Sequence, residues 1–460
     1  MEKEEDKCWR THVVFLPLPA HGHINPLLNF AKRLVCKQVK VTIAIPLSKA
    51  KSFKTDDDHS KITIEIYNDG SDDDDGGETR TLDSYLKCFK EVGTKNISKI
   101  IENYQNSKYP IKCLIYSSVV PYVQDIAKQY GLIGASFFTQ SCAVNSIYYH
   151  VHHGHLITPV QAPVSLPGLP LLETHELPSV MSVADPDQEP DRSVLHLVTD
   201  QFLNVEEIDW LLFNTFDKLE DEVMKWMVKL WPEKAISIGP TVPSIYLKNS
   251  PNASNPGSTH SSPYIEWLNT KKARSVVYVS FGTVAKVGEE QIEELTWGIK
   301  RSNMYFLWMV REEEQQKLPI KFKDNISEQG LLVSWCSQLE VLAHEAVGCF
   351  LTHCGWNSTI EALSMGVPMV AMPQYIDQPT DAKFVEEIWR VGVRAKVDEK
   401  GIVRREEIEN CIKEIMQGQR REEIKRNAIR WKELAKEAVD EGGSSDKNID
   451  KFIARLVQLS

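Results

Sequence analysis

Basic charge is scarce in this 460-residue chain: 53 Lys and Arg stand against 64 Asp and Glu, a formal net charge of -11. Grip on a phosphate backbone needs a basic footprint, so no nucleic acid partner is expected. Long apolar runs are missing too. None approaches the ~20 residues needed to cross a bilayer, so no membrane span is expected. The charged opening MEKEEDKCWR lacks the apolar core of a secretory signal. Cysteine lacks system: nine residues, an odd number at irregular spacing, argue against a disulfide framework and for reduced thiols. These absences together point to a cytoplasmic protein. The N-x-S/T sequons at Asn96, Asn252, Asn325 and Asn357 then read as accidental. A calcium loop fails as well. With Gly76 as its turn glycine, Leu82 stands where the bidentate Glu belongs, so the acidic runs Asp56–Asp58 and Asp72–Asp75 read as solvated loops.

What is present is alternation. Apolar, strand-like runs occur at His12–Pro19, Val39–Pro46, Ile62–Tyr67, Ile111–Ser117, Ala135–Phe138 and Trp210–Asn214, with a helical face of Ile24, Leu27, Leu28, Ala31, Leu34 and Val35 between the first two. Strands alternating with helices predict a parallel sheet covered on both faces. The polar stretch Leu247–Pro263, rich in Ser, Asn and Pro, reads as a linker. The pattern then restarts with a strand and turn at Ser275–Thr283 and strands at Tyr305–Val310, Leu331–Trp335, Val347–Thr352 and Val367–Met372. The expected class is α/β, with two doubly wound Rossmann-like domains at 1–246 and 264–445, a linker at 247–263, and a C-terminal helix at 446–460 returning to the first domain. Two such domains leave a cleft, the usual ligand site of open α/β folds.

One strand-to-helix turn is crowded with hydrogen-bonding side chains. In FLTHCGWNSTIEALSMGVPMV, Phe350–Val370, the apolar run ends in His353 and Gly355, followed by Trp356, Asn357 and Ser358. Strand ends facing helix N termini hold phosphates, because unpaired N–H groups and the positive end of the helix dipole point there. Gly355 would let a phosphate approach the backbone. Glu361, one helical turn inward, is placed to accept from ribose hydroxyls. The rival reading is an ordinary cap, in which Asn357 or Ser358 closes the helix and His353 merely packs.

The wider stretch Trp335–Gln378, WCSQLEVLAHEAVGCFLTHCGWNSTIEALSMGVPMVAMPQYIDQ, resembles in order and length the nucleotide-sugar signature of plant secondary-product glycosyltransferases. These are family 1 UDP-glycosyltransferases, with the two-domain GT-B fold. GHINP, FFTQSCA, NTFDKLE, IGPTVPS, SFGT and EGGSSDKNI extend the resemblance along the chain. It implies that Trp335 stacks on uracil, that Gln338 meets the uracil–ribose portion, and that Glu361 binds the ribose. His353, Asn357 and Ser358 would hold the diphosphate, with Ser280 or Thr283 assisting. Trp356, Asp377, Gln378 and, from the first domain, Thr139 would meet the sugar. A terminal Gln resembles glucose users.

The resemblance makes His23, in PLPAHGHINP just ahead of a helix, the general base. Many relatives carry an Asp at the position of Ser117, which would orient a ring nitrogen without supplying charge. His21 forms an HxH pair with His23, and His150, His152, His153 and His155 cluster in YYHVHHGH; neither carries a recognisable metal set. Acceptor-pocket candidates are Tyr85, Phe89, Val119, Pro121, Phe138, Cys142, Ile147, Tyr148 and Leu203. The expectation is an inverting UDP-glucose-dependent O-glucosyltransferase, monomeric, with no cofactor and no metal. Its acceptor would be a small lipophilic molecule, a steroid or triterpenoid hydroxyl ahead of phenolics. Glucose-ester formation on a carboxylic acid and a non-catalytic UDP-sugar sensor stay open as alternatives.

Overall fold

The computed structural model describes residues 8–50, 61–68, 81–181, 189–247, 262–283, 287–323, 326 and 329–458. Both acidic runs, most of the expected linker, Asn252 and Asn325 lie outside them. The chain forms two compact units. One comprises Met1–Leu171, Val180–Thr241 and Ala438–Ser460; the other comprises Leu172–Ser179 and Val242–Glu437.

The first unit is built on β1 (Thr11–Leu16), β2 (Val39–Pro46), β3 (Ile62–Tyr67), β4 (Cys113–Ser117), β5 (Ile133–Phe138), β6 (Trp210–Phe213) and β7 (Ala235–Ser237). They run parallel in the order β3-β2-β1-β4-β5-β6-β7. A parallel sheet is covered on both faces, so its strands are apolar throughout rather than alternating; THVVFL of β1 is buried at every position. Successive side chains part to opposite faces. Val13 and Phe15 join Leu27, Phe30 and Leu34 of the helix His21–Cys36. Val14 and Leu16 join Phe89, Ile97 and Ile101 of the helix Leu82–Tyr104.

The C-terminal helix, Ser444–Gln458, belongs to this unit. Ile449, Phe452, Ile453 and Leu456, spaced i, i+3, i+4, i+7, form one apolar stripe and are fully buried in the core under β7 and β1. Phe452 meets Trp210 edge-on at 5.5 Å. Ser445 Oγ donates to the Gly239 carbonyl at 2.5 Å, and Lys37 bridges Asp446 and Asp450 at 2.7 Å each.

The second unit repeats the plan with β8 (Val276–Ser280), β9 (Tyr305–Met309), β10 (Gly330–Val333), β11 (Val347–Thr352), β12 (Met369–Ala371) and β13 (Gly392–Arg394), parallel in the order β10-β9-β8-β11-β12-β13. In each sheet the direction of winding reverses beside the first strand, between β1 and β4 and between β8 and β11. Ligand crevices of open α/β sheets form at the carboxyl ends of the strands flanking such a reversal. The chain leaves β1 toward His23 and ends β4 at Ser117. It leaves β8 through SFGT and β11 through HCGWNS. The topology thus brings the loops singled out in the sequence to the two reversal points.

Candidate active site

The turn after β11 carries no side chain at its N-cap. The helix Trp356–Met365 has Gly355 as its N-cap and no side-chain cap, and Asn357 and Ser358 sit inside its first turn. The capping reading is therefore corrected: Asn357 and Ser358 lie within the helix rather than at its cap. Cys354 holds the turn in the left-handed region (φ 63°), supported by Thr352 Oγ1, which accepts from its N–H at 3.2 Å.

His353 lies against two glycines. A Cβ on Gly282 or on Gly355 would each come 2.8 Å from its Nε2. Gly355, expected to admit a phosphate, makes room for the imidazole. Burial pushes His353 down to about 4, so the ring is neutral near pH 7 and offers one N–H donor. Of the two SFGT hydroxyls, Ser280 is buried and accepts from the Gly282 N–H at 3.4 Å, whereas the Thr283 side chain is exposed.

Just past β10, Trp335 is 72% exposed, as an indole waiting to stack would be. Gln338 opens the helix Gln338–Ala343 and donates from Nε2 to Ser358 Oγ at 3.1 Å and to Glu361 Oε2 at 2.8 Å. Burial raises the Glu361 carboxyl to about 7, against the lowering effect of the Gln338 bond. Gln338, Ser358 and Glu361 are thus joined by hydrogen bonds.

Beyond β12, Asp377 and Gln378 begin the helix Gln378–Lys383. Asp377 Oδ2 accepts from the Trp356 N–H at 3.2 Å. Gln378 Oε1 accepts from the Gln374 and Tyr375 N–H groups at 2.7 and 2.8 Å. The Trp356 indole is 2% exposed and packs 6.1 Å from Trp389, so its side chain belongs to the core.

In the first unit His23 lies in the first turn of the helix His21–Cys36, not ahead of it. The ring keeps some surface open, yet burial pushes it down to about 4, leaving a neutral imidazole. Its Nδ1 stands 3.4 Å from Thr139 Oγ1. Ser117, expected behind the base, is fully buried and accepts from the Leu18 N–H at 3.0 Å. The serine braces the loop that leads to His23, and threonine is the residue beside the ring. Sequence position alone could not show this, because both residues end neighbouring strands.

The acceptor candidates divide. Phe138, Cys142, Ile147 and Tyr148 are fully buried, and Phe138 stacks on Phe213 at 4.6 Å, so these four are core. Tyr85 and Leu203 keep exposed surface. The His150–His155 cluster is a packed knot: His150 stacks on Trp226 at 5.1 Å, and the Nδ1 atoms of His150 and His155 are 3.2 Å apart. Among the described residues no group of three or more His, Cys, Asp or Glu is arranged to hold a metal ion, and no helix is long and apolar enough to cross a membrane. All nine cysteines are free thiols.

With that geometry established, the likenesses are informative. The family described as "UDP-glucoronosyl and UDP-glucosyl transferase" matches residues 239–439. Mogroside I-E synthase of Siraitia grosvenorii is 46% identical over 456 residues, 97% of this chain and 99% of that protein. UDP-glucosyltransferase 74AE2 of Panax ginseng is 43% identical, over 97% of this chain and 99% of that one. Os79 of O. sativa, solved in complex with UDP, superposes with a TM-score of 0.88 at 36% identity, covering 96% of this chain and 100% of its own; it has also been solved with trichothecene. The two parallel sheets are those of a GT-B glycosyltransferase. The chain belongs to the plant family 1 UDP-glycosyltransferases and is an enzyme that uses a UDP-sugar donor.

Proposed function

We propose that the protein transfers glucose from UDP-glucose to a hydroxyl of a bulky lipophilic acceptor, of steroid or triterpenoid kind, with inversion at the anomeric carbon. The observation that carries this reading is the helix Trp356–Met365, opened by Gly355, with neutral His353 beside it and the Gln338–Glu361 pair alongside. Trp335 takes the uracil, Gln338 and Glu361 the ribose, and His353, Asn357, Ser358 and Thr283 the diphosphate. Asp377 and Gln378 take the sugar.

The roles follow from charge. With Nδ1–H given to Thr139, the Nε2 lone pair of His23 accepts the acceptor's proton as its oxygen bonds to the anomeric carbon. The bond from that carbon to the β-phosphate oxygen breaks, and UDP leaves with the electron pair. The growing negative charge meets a helix N terminus and a preorganised imidazole N–H. These donors suit a diphosphate without a bridging cation, so the proposal assigns the reaction no metal. A single displacement with no enzyme nucleophile inverts the carbon. The acceptor reading draws support from two names: a relative that makes mogroside I-E and a neighbour solved with trichothecene.

His23→Ala tests the division of roles. General-base catalysis supplies ~10²–10⁴ in rate, so turnover on an alcohol should fall by that order while UDP affinity holds. The wild-type rate should be the same with and without EDTA. Equal loss of UDP affinity would make His23 a binding or folding residue instead.

A further inference from the structure

We propose that Ser179 is a positioning residue for the donor sugar, acting through the backbone of Ile376. The inference rests on the reading that Asp377 and Gln378 take the sugar. Ile376, directly before them, has φ 57°. A β-branched residue in the left-handed region crowds its Cβ against the backbone, and such a conformation persists only where its surroundings over-determine it. Here they do. Ile376 donates its N–H to Ser179 Oγ at 2.8 Å, and Ser179 donates its N–H to the Ile376 carbonyl at 2.9 Å. One serine clamps both polar groups of the strained residue.

The consequence falls on the next two side chains. The left-handed step sets the direction in which the chain enters the helix Gln378–Lys383. Gln378 commits its Oε1 to the N–H groups of Gln374 and Tyr375, so its NH2 is the group left to donate to a sugar hydroxyl. Asp377 is held by the Trp356 N–H at Oδ2 and by a hydrogen bond with the Asp381 side chain. Both orientations depend on the turn at Ile376 holding its shape.

Ser179 is itself held. It ends the segment Leu172–Ser179, which lies in the second unit although the chain on either side of it belongs to the first. Glu176 pairs with Lys383 at 2.8 Å, both only 8% exposed, and the Glu176 carbonyl accepts from Thr380 Oγ1 at 2.7 Å. The His175 carbonyl accepts from Arg394 Nη2 at 3.1 Å. The segment thus runs as a splint beside the helix that carries Gln378. Glu176 fixes the far end, and Ser179 fixes the turn next to the sugar ligands.

The test compares UDP with UDP-glucose, because their difference isolates the sugar. Dissociation constants for both are measured on the full chain. Ser179→Ala should weaken UDP-glucose about fivefold, the scale of one net hydrogen bond, and leave UDP unchanged. Adding Ile376→Gly should recover most of that loss, since glycine adopts this φ without strain. Ser179→Thr keeps the hydroxyl and should keep the preference. An unchanged UDP-glucose to UDP ratio in Ser179→Ala, or equal loss of both ligands, overturns the inference. Gln378→Ala separates the two levels. If it too leaves the ratio untouched, the sugar-site reading fails. If it lowers the ratio while Ser179→Ala does not, only the positioning role fails.

Discussion

Glu361 carries the most telling charge in the donor site. Burial raises its carboxyl to about 7, so near neutrality the empty site holds it partly protonated. Ribose hydroxyls donating to the carboxylate favour its ionised form and lower that value. UDP binding at pH 7 should therefore release about half a proton, read by calorimetry in buffers of different ionisation enthalpy. Glu361→Gln should abolish the release. Binding without proton release in the wild type would remove Glu361 from the ribose. The sign also applies to folding: a raised carboxyl contributes stability below its ordinary value near 4.5 that is lost as pH rises through about 7. His23 and His353, both pushed down to about 4, act oppositely: their contribution is full above 6.5 and is lost as pH falls toward 4. Beside the base, Thr139→Val should cut turnover on an alcohol about fivefold without moving UDP affinity, as expected for one lost hydrogen bond of ~1 kcal/mol. Ser117→Ala should instead cost stability, about 1 kcal/mol for the hydrogen bond lost at the partly buried Leu18 N–H, with turnover nearly intact. The reverse pattern in melting and kinetics would restore Ser117 as the partner of His23.

At the scale of elements, the C-terminal helix is a structural member of the first unit. Phe452 is fully buried against Trp210, so Phe452→Ala should cost about 3–5 kcal/mol in denaturant unfolding. A cost under 1 kcal/mol would mean the stripe is not packed as described. That helix was legible from its periodicity, and so were β2, β3 and β11, whose apolar runs end at turn residues where the strands end. β7 and β13 were not expected. At three residues each they are too short to show a period, and only their neighbours β6 and β12 make them strands. The left-handed turn at Ile376 was invisible for a different reason. Isoleucine is among the last residues local propensity would place there, and what holds it is Ser179, 197 positions away. The same limit applied to Ser117 and Thr139. Sequence put Ser117 behind the base and Thr139 at the sugar, but only side-chain geometry distinguishes the loop brace from the ring contact.

For the whole molecule, the proposed function divides the reaction between the two parallel-sheet units. One would present a neutral imidazole to the acceptor, the other a helix N terminus and the Glu361 carboxyl to the donor. The central chemical proposal is a single displacement with no acyl, thiol or carboxylate nucleophile. The anomeric configuration of the product tests it most directly. Incubation with UDP-glucose and a lipophilic alcohol, followed by proton spectroscopy of the purified glucoside, reads it from the coupling of the anomeric proton. The account predicts a β-glucoside from the α-configured donor. An α-glucoside would contradict it, because retention requires a second displacement that the proposed site does not perform.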